Sequence, residues 1–103
     1  MNSQQIAEGN DLFRKTFIGG KVLLTRPVQQ SEHLSEILSL VRSFTNFTSD
    51  NDPYGEHDFG SFQLNGTKYF FKIDYYDQQF EFGADPYSEP FKRVLTIMEA
   101  SEY

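Results

Sequence analysis

The densest group of ionisable side chains lies between Ser49 and Asp58, where Asp50, Asp52, Glu56, His57 and Asp58 share one polar stretch. Carboxylates spaced in this way can converge from a bent loop on a hard cation, and Asp50-x-Asp52-x-x-Gly55 begins like a calcium loop. The match stops there. An EF-hand needs an oxygen ligand at its fifth position and a glutamate at its twelfth, and here those positions are Tyr54 and Ser61. Asp50, Asp52, Glu56 and Asp58 stay candidate metal ligands only in the looser sense of a carboxylate cluster. The commoner use of such aspartates is an Asx turn, in which the side chain accepts nearby backbone N–H groups.

His57 and Asp74 form the second candidate. An imidazole held by a carboxylate is the orienting half of a general-base arrangement. A tight hairpin at Asn65-Gly66 would set these two residues across from each other, on a face shared with Lys72 and Tyr76. No good nucleophile stands beside them, because Ser61 falls two residue pairs further along the ladder. A structural cross-strand contact is therefore favoured over catalysis. Gly19-Gly20 lacks the spacing of a phosphate loop, His33 stands alone on a helix, and the chain has no cysteine. No cofactor is expected.

The elements that must position these residues follow from the patterning. Asn2 or Ser3 can cap a helix reaching about Thr16, whose thin apolar stripe of Ile6, Phe13 and Phe17 has Asn10 in its gap. Gly19-Gly20 ends it, and Lys21 to Thr25 reads as a short edge strand closed by Pro27. Ser31 caps a second helix in which Leu34, Ile37, Leu38, Val41 and Phe44 follow helical spacing. Thr45 to Gly55 is a loop, with the rings of Phe47 and Tyr54 expected against the body of the domain.

Asn65-Gly66 between two β-rich runs predicts a two-residue type I′ hairpin. It pairs Leu64 with Thr67, Phe62 with Tyr69, Gly60 with Phe71 and Asp58 with Ile73. Alternation then gives an apolar face (Gly60, Phe62, Leu64, Tyr69, Phe71, Ile73 and Tyr75). The opposite face holds His57, Phe59, Ser61, Gln63, Lys68, Phe70, Lys72, Asp74 and Tyr76. Phe80-Glu81-Phe82 reads as a return strand, with Phe80 and Phe82 in the core. After the turn-rich Asp85 to Pro90, Phe91, Val94, Leu95 and Met98 repeat at helical spacing. Val94, Thr96 and Ile97 leave a strand open there, but the period favours a helix. The expectation is one α+β domain over residues 1–103. Its four-stranded antiparallel sheet would comprise one strand plus a three-stranded meander, with helices mainly on one face, in the order α-β-α-β-β-β-α.

Charge narrows the partners. Residues 1–49 hold four acids against five bases, whereas residues 50–103 hold eleven against four, within a net charge of −6. A field of that sign disfavours direct nucleic-acid binding and favours a partner with a basic surface. No apolar run approaches the roughly 18 residues of a membrane span. Met1 to Lys15 lacks a signal peptide's apolar segment, so a cytoplasmic protein without membrane contact is expected. Helices on one face would leave Phe59, Phe70 and Tyr76 on the other, beside Lys72, Asp74 and Glu81. Rings surrounded by polar groups are what a protein-binding surface looks like. Cover by the first helix, or by a second copy in a homodimer, is the alternative.

Several segments together resemble a known family: Asn51 to Gly60, Phe71 to Asp77 and Arg93 to Met98, with Asn10 to Arg14 and Gly19 to Val22. The family is one of small bacterial proteins catalogued as a domain of unknown function, number 3768, common in genomes rich in plasmids and prophages. Glu99 departs from it, standing where the family's C-terminal motif looks apolar. The resemblance brings no established activity. Its mobile-element setting implies, by association, a role against host defence of the anti-CRISPR or anti-restriction kind. The expected function is thus a small acidic protein-binding module, an inhibitor that covers the basic surface of a nucleic-acid-binding enzyme. Asp50, Asp52 and Glu81 would steer it, and Phe59, Phe70 or Tyr76 would anchor it. A metal-dependent or His-assisted enzyme centred on Asp50 to Asp58, and a homo-oligomeric structural protein, are the alternatives.

Overall fold

Apolar side chains from three helices meet one face of a four-stranded sheet. The computed structural model describes residues 1–88 and 90–103. Glu89, in the expected turn-rich segment, lies outside the described residues. Helix α1 spans Ser3–Thr16 and opens on a capping box. The Asn2 side chain accepts the Gln5 N–H at 2.9 Å, and the Gln5 side chain accepts the Asn2 N–H at 3.0 Å. The helix ends at Phe17, in the left-handed region at φ 58°, whose N–H returns to the Phe13 carbonyl at 2.7 Å. Strand β1 spans Gly20–Leu24, and Pro27 then opens the single turn α2, Arg26–Gln29. Helix α3 spans Leu34–Ser43. Ser31, the expected cap, instead shapes the turn before it: its hydroxyl accepts the His33 N–H at 3.0 Å, and His33 holds the N-cap position.

The hairpin follows the expected register. Strands β2, Phe59–Leu64, and β3, Thr67–Tyr76, pair antiparallel with Leu64 opposite Thr67, Phe62 opposite Tyr69 and Gly60 opposite Phe71. Asn65 and Gly66 both take positive φ, 51° and 80°, as a type I′ turn requires. Phe13 of α1, Val28 of α2 and Ile37 and Val41 of α3 close on Phe71, Ile73, Leu95 and Ile97 in one core. Gly60 allows the sheet to approach this core closely, since a Cβ there would meet the Phe71 ring.

The last segment is a strand, not a helix. Strand β4, Lys92–Glu99, lies between β1 and β3, so the sheet order is β1-β4-β3-β2. A central strand is apolar on both faces: Leu95 and Ile97 enter the helical core, while Val94 and Met98 are buried on the other side. That double burial replaces alternation with a near-continuous apolar run, which imitates helical spacing. The sheet is consequently mixed. β4 runs antiparallel to β3 but parallel to β1, with Gly20 opposite Arg93 and Leu24 opposite Ile97.

Phe80 to Phe82 does not form a strand. β4 occupies the place beside β3, and the loop between them makes one isolated bridge, Tyr76 to Gly83. Phe82 is 70% exposed and Phe80 packs over Lys21, so neither ring is in the core cluster. The element order is α-β-α-α-β-β-β with a closing 3₁₀ turn at Ala100–Glu102. No described helix is long and apolar enough to cross a membrane.

Candidate functional site

Two places collect the residues singled out from the sequence: a polar cluster between α1 and the 45–58 loop, and the sheet face opposite the helices.

The cluster is built on His57. Its backbone sits in the left-handed region, φ 57°, which turns the ring off the hairpin ladder before β2 begins. The ring stacks on Phe47 at 4.0 Å and 2°. Its Nδ1 lies 3.0 Å from the Asp11 carboxylate and its Nε2 3.6 Å from Asp52. The expected His57–Asp74 pair is therefore not formed. Asp74 instead holds the Lys72 ammonium at 2.8 Å, and this hydrogen bond raises the lysine's pKa.

Asp52 is buried and accepts the N–H groups of Glu56 and His57 at 3.0 and 3.1 Å, the Asx-type role. Asp50 stays exposed. Among the described residues no group of three or more histidine or carboxylate side chains is placed to hold a metal ion. Phe47 tucks against Phe44 and Phe71 as expected, whereas Tyr54 is 77% exposed.

Helix α1 contributes more to this cluster than its thin apolar stripe indicated. Arg14, 1% exposed, donates to Asp11 at 2.9 Å and to the carbonyls of Val41 and Arg42 at 3.0 and 3.2 Å. Its guanidinium also lies over the rings of Phe47 and Phe71. Asn10, fully buried, donates to the Glu56 carbonyl and the Tyr75 hydroxyl and accepts from Arg93 Nε at 2.6 Å. Gly9 makes room for that arginine, because a Cβ there would overlap its guanidinium. Burial lowers the pKa of Arg93 and raises that of the Tyr75 hydroxyl. Asp11, Arg14, Asn10, Tyr75 and Arg93 were not candidates from the sequence. The available signal was the i, i+3 spacing of Asp11 and Arg14, with an asparagine interrupting the apolar stripe.

Beside the cluster, Tyr87 donates its hydroxyl to Glu56, and this bond pushes the phenol up to about 12. Burial, reinforced by the Glu56 carboxylate, pushes the Asp58 carboxyl up to about 6. An imidazole with a carboxylate at each nitrogen can hold or pass a proton. Yet the cavity at His57, lined by Asp11, Arg14, Phe44 and Phe47, is only about 100 Å³. It has room for a few waters, against the several hundred Å³ usual for a ligand pocket.

The outer sheet face is uncovered by helices. Phe59 of β2 and Phe70 of β3 lie 5.1 Å apart, and Tyr103 closes on both, 5.4 Å from Phe70 in an edge contact. Met98 is buried on the same side, opposite Phe70 in the register. At the other end Tyr76, Phe80, Val94, Lys21 and Leu23 line a cleft of about 230 Å³. Lys72 and Asp74 occupy the ground between. Of the expected steering carboxylates, Asp52 is committed to loop amides, which leaves Asp50 and Glu81 exposed. Glu99, at the end of β4, caps the final turn through paired contacts with Glu102.

No curated protein and no solved structure gives a significant match to the chain. The family model described as protein of unknown function (DUF3768) matches residues 24–102, from the end of β1 through the loop, the hairpin and β4. The match takes in the loop side of the His57 cluster and most of the outer sheet face, though not α1. With more than half of its length covered, the chain belongs to this family of proteins of unknown function.

Proposed function

We propose that the chain is a protein-binding module, acting by occupancy rather than chemistry, whose working surface is the sheet face opposite the helices. The observation that carries this reading is the state of that face. Phe59, Phe70 and Tyr76 are only half-buried, and Leu23 and Tyr103 are 50% and 76% exposed. Among the described residues the three α-helices pack on the other face, with only the closing 3₁₀ turn reaching this one. Semi-exposed rings framed by lysine, threonine and glutamine match the composition of binding surfaces. The His57 cluster, by contrast, reads as a latch that ties the loop to α1. Its members face one another, and its cavity does not admit a substrate.

The test is co-purification from the host with the double variant Phe70→Ala, Tyr76→Ala as control. A specific partner is expected with the parent chain and not with the variant, whose circular dichroism should show the sheet retained. Equal recovery with both chains would refute the assignment of the face.

A second reading is favoured by charge. Apart from the outer face, the chain carries a net charge of about −9, the sign that would cover the basic surface of a nucleic-acid-binding enzyme. An inhibitor of a host-defence enzyme, of the anti-CRISPR or anti-restriction kind, is its narrow form. It predicts that Asp50→Lys with Glu81→Lys weakens partner binding, most strongly at low salt.

A further inference from the structure

We infer that the partner of the sheet face is an acidic protein segment that seats an aromatic or branched side chain in the cleft at Tyr76. This rests on the reading of that face as the binding surface and adds the chemistry of what it takes. The strand register places four of the chain's five lysines there: Lys21 on β1, Lys68 and Lys72 on β3, and Lys92 opposite Tyr76 on β4. All four arginines lie elsewhere. Asp74 is the single carboxylate projecting from these strands on that side, so their outward side chains carry about +3 against about −9 on the rest of the chain, which includes Asp77 and Glu81 in the loop that brings Phe80 to the cleft. A basic face on an acidic body attracts negative partners in one orientation and repels basic ones.

The cleft supplies the anchor point. At about 230 Å³, walled by Leu23, Tyr76, Phe80 and Val94, it suits one apolar side chain, and it falls below the range of small-molecule pockets. The Lys21 ammonium stands at its edge, 4.1 Å from the Phe80 ring, where it can meet a carboxylate flanking the anchor.

Two other occupants fit less well. Single-stranded nucleic acid needs open ring faces and unpaired cations. Here Lys72 is held by Asp74, and Phe59 and Phe70 are half-buried with Tyr103 set edge-on against them. A second copy docked face to face would bring the lysines together.

The experiment pans a displayed random-peptide library on the full chain. Recovered peptides are then titrated by fluorescence polarisation and mapped by amide NMR shifts. The expected result is peptides rich in Asp and Glu around an aromatic or branched residue, with shifts at Lys21, Leu23, Tyr76 and Val94. Lys21→Glu with Lys68→Glu should weaken them at least tenfold, and raising NaCl from about 50 to 300 mM should weaken them several-fold. Basic or uncharged peptides on the same face would overturn the acidic partner while leaving the face as the binding surface. Peptides mapping to the 50–58 loop, or no enrichment at all, would overturn the sheet-face reading with it. Tighter binding of a twelve-residue oligothymidylate than of any peptide would overturn the proposal in favour of nucleic acid. Concentration-dependent dimerisation abolished by the lysine reversals would overturn it in favour of a second copy.

Discussion

At the scale of single residues, the polar cluster makes its clearest predictions through protons and buried charge. The Asp58 carboxyl sits at about 6 in the fold against 3.8 ordinarily, chiefly because of burial. Between about pH 4 and 6 the folded chain therefore binds more protons than the unfolded one, and stability falls as pH rises through that window. Asp58→Asn is expected to raise Tm at pH 7 to 8, with the gain shrinking below about pH 6 and gone near pH 4. Melting curves across that range check it, and an equal gain at pH 4 would contradict it. Arg14 is the opposite case. Arg14→Met leaves the Val41 and Arg42 carbonyls without their donor and Asp11 with His57 alone, and the expected loss is about 2–4 kcal/mol by urea unfolding. Arg14→Lys should recover only part, since an ammonium cannot span both carbonyls and the carboxylate. His57, with φ 57°, should tolerate glycine better than alanine, a difference measurable by the same titration. Beyond the i, i+3 spacing of Asp11 and Arg14, these partnerships were not readable from local spacing. Asp11 meets His57 across 46 positions, and a left-handed residue just before a strand moves its ring to the other side of the sheet.

At the scale of elements, what was legible depended on whether a local device fixed the geometry. The Asn65-Gly66 turn did so, and the pairing of β2 with β3 and the two faces of β3 follow from it residue by residue. A cap at Asn2 or Ser3 and the apolar stripe of α3 were legible for the same reason, though the Gln5 half of the box was not. β4 was not, because Val94, Leu95, Ile97 and Met98 are buried on both sides of a central strand, and no turn residue announces their pairing. Leu95→Ala is expected to cost about 2–5 kcal/mol. Gly60→Ala should cost about 1–3 kcal/mol by forcing the Phe71 ring aside. Chemical denaturation of the two variants would measure both. A neutral Gly60→Ala would show that the hairpin can shift away from the helices more easily than its packing implies.

At the scale of the whole molecule, the separation of charge is the property that composition concealed. A net charge of −6 reads as a uniformly acidic protein, and the fold sorts it into a lysine-bearing sheet face and an acidic remainder. Divalent cations test the metal-dependent alternative. With Asp52 bound to loop amides and Asp11 to Arg14, millimolar calcium, magnesium or zinc should leave Tm unchanged to within about 1 °C. A rise of several degrees that saturates with concentration would restore a metal site to the loop.

The position of β4 has a consequence for how the chain comes to be folded. The strand that joins β1 to β3 lies near the end of the sequence, so Gly20 waits for Arg93 before either edge of the sheet is joined to the other. Until then α1 and α3 have no completed surface to pack on, and the hairpin is an isolated two-stranded ribbon, marginal in water. Such long-range closure slows folding. On a ribosome the residues ahead of β4 would emerge as an open chain with their aromatic runs unpaired. Until β4 follows, those exposed runs are open to aggregation.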